Sequence, residues 1–183
     1  AEAIVSVSPI PNSKAFMLSS GTEAVETALK LARTYAHTKH GIEKNVVVTY
    51  NGAFHGRTLG SQMLGGMPSL KTWIKNPDPD IILADFPNGY TYDWANPESP
   101  GFNEDKMFQS LLDAIDAAGV KPENIAGILT ESYQGIFCYP IPLSYAKKLR
   151  AFCDKYDIVL FMDEIQTGFC RTGKMFAFEH YGI

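Results

Sequence analysis

The stretch Ile158-Val159-Leu160-Phe161-Met162-Asp163-Glu164-Ile165-Gln166-Thr167-Gly168 runs from unbroken apolar sequence into two carboxylates and a glycine-containing polar loop. An apolar run this short, bounded by turn-forming residues, is the pattern of a strand buried on both faces. Strands of that kind belong to parallel sheets, which bind ligands outside the carboxyl ends of their strands. The stretch therefore predicts an α/β protein with its chemistry gathered near Asp163.

Working outward, strand and helix patterns alternate. Leu143 to Tyr156 is a predicted helix that leads into the Asp163 strand, and Ile125 to Thr130 is a buried strand ending at Glu131. Glu104 to Ala118 carries Met107, Phe108, Leu111, Leu112 and Ile115 at helical spacing, and Gly119 breaks it. Asn45 to Tyr50, with three consecutive valines, reads as another buried strand, turned by Asn51-Gly52. Ala15 to Leu18 reads as a short strand, followed by a helix to about His40 whose apolar positions are Ala24, Ala28, Leu31, Ala32 and Tyr35, stopped by Gly41. Between about Gly65 and Gly101 lies a loop-rich insertion with a short strand at Ile81 to Ala84. Its recurring aromatics, Trp73, Phe86, Tyr90 and Trp94, mark it as an ordered functional region rather than a linker. Such alternation implies βαβ crossovers and a largely parallel sheet covered on both faces.

Composition bounds the function. The 183 residues are 45% hydrophobic, enough for one packed domain. Sixteen Lys and Arg against twenty Asp and Glu, scattered along the chain, leave no basic stripe for nucleic acid. No apolar run is long enough to cross a bilayer, and no signal peptide opens the chain. Cys138, Cys153 and Cys170 lack zinc-type spacing and read as free thiols of a reducing cytoplasm. A start at Ala1 and an end at Ile183 lead us to expect an internal fragment.

Three constellations carry chemistry. In Ser19 to Ala24 (SSGTEA), Ser20 and Glu23 have capping-box spacing, which a plain helix start would explain. The alternative is an anion site, where Gly21 admits a ligand to the outward-pointing amides of Gly21, Thr22 and Glu23. Phe54 and His55, between glycines after a strand, could stack on and contact a planar ligand. On sequence alone the better reading is a plain turn, with Phe54 filling the core and His55 bonding to backbone. Glu131 and Asp163 end neighbouring strands and could bind Mg²⁺, act as acid and base, or hold a cationic heterocycle. Gln134 and Gln166, each three residues beyond a carboxylate, tilt this choice toward a heterocycle with a polar substituent, and no P-loop string supports a phosphotransferase.

Together the strings SSGTEAVETALKLAR (19–33), YNGAFHGRTLG (50–60), ESYQG (131–135) and MDEIQTGFCRTGKMFAFEHYG (162–182) closely resemble the class III (ω-amino acid) aminotransferases, pyridoxal phosphate enzymes of fold type I. The resemblance implies a three-layer α/β large domain with a mostly parallel sheet, present here in part. The amino-terminal segment, the region of the Schiff-base lysine and the carboxy-terminal small domain would lie outside residues 1–183. It implies that Gly21 and Thr22 bind the cofactor phosphate, Phe54 stacks on the pyridine ring with His55 beside it, and Asp163 pairs with the ring nitrogen. Gln166 would bond the phenolic oxygen, with Glu131 and Gln134 as support. Asp163 is then the catalytic residue of this chain, and no metal is implied. Arg171 reads as structural.

The implied activity is transfer of an amino group from an ω-amino donor to a keto acid in two half-reactions, in a cytoplasmic homodimer. A silent binding or regulatory relative is the alternative. Members acting on glutamate often carry a Glu after the QG of ESYQG, where this chain has Ile136, so pyruvate is favoured as acceptor. The donor remains open among taurine, β-alanine, GABA and diamines. Cys170 stands where the family usually has Gly. Lys174, at an expected helix start, does not match the catalytic lysine, so the isolated fragment is expected to be inactive.

Overall fold

The computed structural model describes residues 1–87 and 104–183. In chain order these form α1 (Glu2–Val7), α2 (Gly21–His40), β1 (Val46–Tyr50), α3 (Leu59–Leu64), β2 (Ile81–Ala84), α4 (Glu104–Ala117), β3 (Ile125–Glu131), β4 (Tyr133–Gln134), β5 (Tyr139–Pro140), α5 (Leu143–Tyr156) and β6 (Val159–Asp163). The main sheet has the order β2-β1-β3-β6 with every pair parallel, while β4 and β5 form a small antiparallel pair.

Alternating residues of each strand go to opposite faces, shifted once in β3, where the register against β1 skips Ala126. Val46, Val48 and Tyr50 of β1, with Ile125 and Ile128 of β3, pack with Leu111 and Ile115 of α4 and Tyr145 and Leu149 of α5. Val47, Ala126 and Leu129 pack on the other face with Val25, Ala32 and Ala36 of α2 and Leu64 of α3. The result is the expected three layers, helix–sheet–helix. The β6 residues divide the same way, with Leu160 and Met162 toward the first core and Phe161 toward the second.

The long helix begins and ends where the sequence places it. Ser20 is the N-cap and its Oγ accepts from the Glu23 amide at 3.4 Å, while Gly41 closes the helix with φ +95°. Its buried face is rotated from expectation. Val25, Leu29, Ala32 and Ala36 face the sheet, whereas Ala24, Leu31 and Tyr35 are exposed. The cause is close approach: a Cβ on Gly127 of β3 would stand 3.0 Å from Ala32 Cβ, so only small or slender side chains fit the contact line.

The strand expected at Ala15 to Leu18 is not formed. The segment is irregular, Phe16 and Met17 are exposed, and it pairs with no described strand. In the loop-rich insertion Phe86 is buried and Trp73 exposed, while Tyr90 and Trp94 lie outside the described residues. Among the described residues no helix is long and apolar enough to cross a membrane.

The rotated face of α2 is testable in the full-length protein. Ala32→Leu, which drives a larger side chain against Gly127, is expected to cost about 1–3 kcal/mol in urea unfolding by overpacking. Leu31→Ala, at a position 56% exposed, should change stability by less than about 0.5 kcal/mol.

Candidate active site

Parallel pairing sets β3 and β6 in a register that makes Glu131 and Asp163 direct neighbours at the carboxyl edge of the sheet. Each lies two residues beyond a side chain facing α2, Leu129 and Phe161. The i, i+2 rule therefore turns both carboxylates to the α2 face, where the helix presents its N-terminus. The loop after β1 arrives at the same place with Phe54, His55 and Gly56.

Two buried groups meet there. His55 Nδ1 lies 2.8 Å from Asp163 Oδ2, with side-chain exposures of 0% and 5%. A carboxylate can only accept, so Nδ1–H donates. Asp163 Oδ1 also accepts the Ile165 amide at 3.0 Å, which fixes both carboxylate oxygens. His55 Nε2 is buried without a partner. Glu131 does not bond to Asp163. It accepts the amides of Gly135 at 3.1 Å and Phe54 at 3.4 Å, and so holds the two loops flanking the site.

These elements enclose a cavity of about 310 Å³ lined by Gly21, Thr22, Phe54, His55, Gly56, Glu131, Tyr133, Gly135, Ile136, Asp163, Ile165 and Gln166. That volume lies at the lower end of the range for small-molecule sites. Every expected site residue except Gln134 lines it. Gln134 is buried and donates to the Asn51 carbonyl at 2.8 Å, on a separate groove shared with Asn51 and Phe137. Phe54 does not fill the core; it is 42% exposed and offers a ring to the cavity. His55 bonds to a carboxylate rather than to backbone.

The family model described as Aminotransferase class-III matches residues 1–183. The chain belongs to the class III aminotransferases. A succinylornithine transaminase of Salmonella newport is 34% identical over 171 residues, which are 93% of this chain and 36% of the relative. A diaminobutyrate–2-oxoglutarate aminotransferase of Haemophilus influenzae is 32% identical over 90% of this chain and 35% of its own length. Among solved structures, a transaminase from the marine bacterium Virgibacillus superposes with TM-score 0.85 at 29% identity, covering 100% of this chain and 38% of that one. An amine transaminase from an uncultivated Pseudomonas species, solved in its PLP-bound form, gives 0.78 at 28% identity, covering 91% and 37%. The chain thus spans little more than a third of the length of the curated relatives it matches.

Pyridoxal phosphate is the cofactor of this family, and this class III site fits it on its own geometry. The first-turn amides of α2 have no acceptor within the helix and carry its positive dipole end. The loops beside them pack closely: a Cβ on Gly56 would lie 2.3 Å from Thr22 Oγ1, and one on Gly135 would lie 2.1 Å from Gln166 Oε1. The glycines thus let these loops close tightly on Thr22 and Gln166 at the cavity wall. Asp163 supplies a buried carboxylate for a protonated ring nitrogen, and Phe54 supplies an aromatic face.

Sequence reasoning passed over several functional neighbours. Glu164 follows Asp163 but turns to the opposite side. It accepts from the Ser132 hydroxyl, Thr167 Oγ1 (2.6 Å) and the amides of Ala177 (2.9 Å) and Phe178 (2.8 Å), and so clamps the 164–178 loop. The alternation Asp163-Glu164 at a strand end was the available signal. Lys174 lies in a bend ahead of a 3₁₀ turn at Ala177–His180, not at a helix start, because the intervening residues continue the loop. Cys170 has φ +66°, a backbone conformation that favours glycine. Its thiol is exposed, as is Arg171.

Burial pushes the Glu131 carboxyl up from its ordinary value of 4.5, against the opposing pull of His55 and the Gly135 and Phe54 amides. The folded state then holds this proton to higher pH than the unfolded chain, so ν_N exceeds ν_U and stability falls as pH rises through that window. Urea unfolding of the full-length protein from pH 4 to 7 is expected to show Glu131→Gln gaining on the wild type as pH rises (pH range about that of the raised carboxyl). A constant difference across the range would rule this out.

Proposed function

We propose that the protein of which this chain is part is a pyridoxal phosphate-dependent aminotransferase moving an amino group from an ω-amino compound to a keto acid, with pyruvate as the favoured acceptor. The observation that carries the reading is the buried His55–Asp163 pair, aimed into the cavity that the α2 N-terminus also lines. When bound, the cofactor would supply an electron sink for the substrate carbanion. The residues' own tasks follow from their contacts. Asp163, fixed at both oxygens, would keep the ring nitrogen protonated, and His55 would hold Asp163 in line. Gly21 and Thr22 would seat the phosphate, Phe54 would cover one ring face, and Gln166 would donate to the phenolic oxygen. Glu131 would hold the Phe54 and Gly135 loops that shape the cavity.

Among the described residues no lysine lines the cavity. We therefore assign the Schiff-base lysine to sequence outside these 183 residues, and expect the isolated chain to lack activity. The apolar exposure of Phe16, Met17, Ile165 and Phe169 suits a contact between two copies, as in a homodimer. Three free cysteines suit a reducing cytoplasm.

Asp163→Asn in the full-length protein is expected to slow amino transfer by about 10²–10³-fold, the usual weight of one preorganised electrostatic contact. Retention of the wild-type rate in a coupled assay would sink the proposal. For the acceptor, Ile136 lines the cavity as an apolar, partly exposed side chain, where glutamate-using members of the family would carry a Glu. The full-length enzyme should prefer pyruvate to 2-oxoglutarate, and kcat/KM for the two acceptors measured side by side decides it. Preference for 2-oxoglutarate would remove the pyruvate assignment while leaving the transaminase reading intact.

A further inference from the structure

Glu26 does not line the cavity, yet it is wired into its wall. It lies one turn beyond Thr22 on α2, on the same side of the helix. Its Oε1 accepts from Thr58 Oγ1 at 2.5 Å and from the amides of Gly60 at 2.8 Å and Ser61 at 3.1 Å. Those amides belong to the first turn of α3, whose N-cap residue, Thr58, makes no side-chain cap of its own. A carboxylate from another helix does the capping instead. The Thr58 hydroxyl is thereby free to meet Thr22, at 2.8 Å between the two Oγ1 atoms. Thr22 Oγ1 also contacts Ser61 Oγ at 2.6 Å and accepts the Thr58 amide at 3.3 Å.

The direction of this relay is set by proton counting. A carboxylate only accepts, so Thr58 gives its hydroxyl proton to Glu26. Ser61 donates to the Thr58 carbonyl at 3.1 Å. The Thr22 proton then has the Thr58 or Ser61 oxygen to receive it. Every contact that holds the Thr22 side chain therefore leads to the 58–61 turn, and that turn is held by Glu26. Glycine leaves room for the approach, since a Cβ on Gly60 would lie 2.2 Å from Glu26 Oε2 and force the carboxylate to shift.

We propose that Glu26 is a positioning residue for the phosphate end of the cavity: through the 58–61 turn it fixes the Thr22 side chain and the Gly56 backbone beside it. The inference rests on the pyridoxal phosphate reading above. Glu26 touches neither cofactor nor substrate, and its negative charge by itself opposes an anion. Its contribution is the geometry it imposes, and a neutral acceptor of the same length should preserve much of it.

The test is ligand binding to the full-length protein freed of cofactor. Dissociation constants are measured for pyridoxal phosphate and for pyridoxal, which lacks the phosphate, by absorbance or fluorescence titration. Glu26→Ala is expected to weaken pyridoxal phosphate about tenfold, the weight of one charge-assisted hydrogen bond, and to change pyridoxal by less than about twofold. Glu26→Gln should recover most of the lost affinity, and Gly60→Ala, which pushes a methyl group into the carboxylate, should reproduce the loss. If Glu26→Ala does not fold, the contrast between Gly60→Ala and Glu26→Gln decides. Equal weakening of both ligands would reduce Glu26 to a structural residue, and an unchanged pyridoxal phosphate constant would overturn the inference. A wild-type protein that does not distinguish the two ligands would overturn the phosphate reading itself, and the inference with it.

Discussion

The parallel register of β3 with β6 is the constraint on which the site depends. It sets Glu131 beside Asp163 at one sheet edge, and two neighbouring carboxylates out of water need donors. The loop after β1 supplies them: an imidazole for Asp163 and the Phe54 amide for Glu131. The Gly135 turn supplies another amide. Pairing and burial thus enforce the path of two loops, and those loops form much of the cavity wall. Removing one partner of such a buried pair leaves an uncompensated charge, so each partner holds the other in place at a cost in stability if it is lost.

A second layer of order comes from close approaches at positions without side chains. Gly127 lets α2 settle against β3 through Ala32, Gly56 lets the loop touch Thr22, and Gly60 lets Glu26 cap α3. The helix whose first turn lines the cavity is therefore held by the sheet beneath it and by a neighbouring helix beside it. On the opposite side, Glu164 gathers the 164–178 loop through three of its donors and ties it to Ser132 through a fourth. Two consecutive residues, Asp163 and Glu164, consequently serve opposite faces of the sheet, one toward the cavity and one toward the support of its rim.

Much of this was legible in the chain. The valines of β1, the apolar run of β6 and the caps at Ser20 and Gly41 each follow from local rules of burial, propensity and capping. The failures have local causes too. Ala15 to Leu18 has strand composition, yet a strand exists only where an edge accepts it. The face of α2 was misplaced because apolar spacing alone admits two neighbouring stripes, and the choice between them is made by Gly127. Phe54 and His55 carried two readings because a turn sequence does not say what stands opposite it.

Sequence by itself determined the α/β class, the strand ends at Glu131 and Asp163, the helix start at Gly21 and, through four motifs, the kinship with class III aminotransferases. These follow from periodicity and from residue types at fixed local spacing. Tertiary structure alone decided that His55 serves Asp163, that Glu131 holds loops rather than its neighbouring carboxylate, that Gln134 faces another groove and that Glu26 reaches α3. Each of those depends on partners far apart in the chain, and their meeting is set by sheet register and by how closely helices approach, quantities no local pattern encodes.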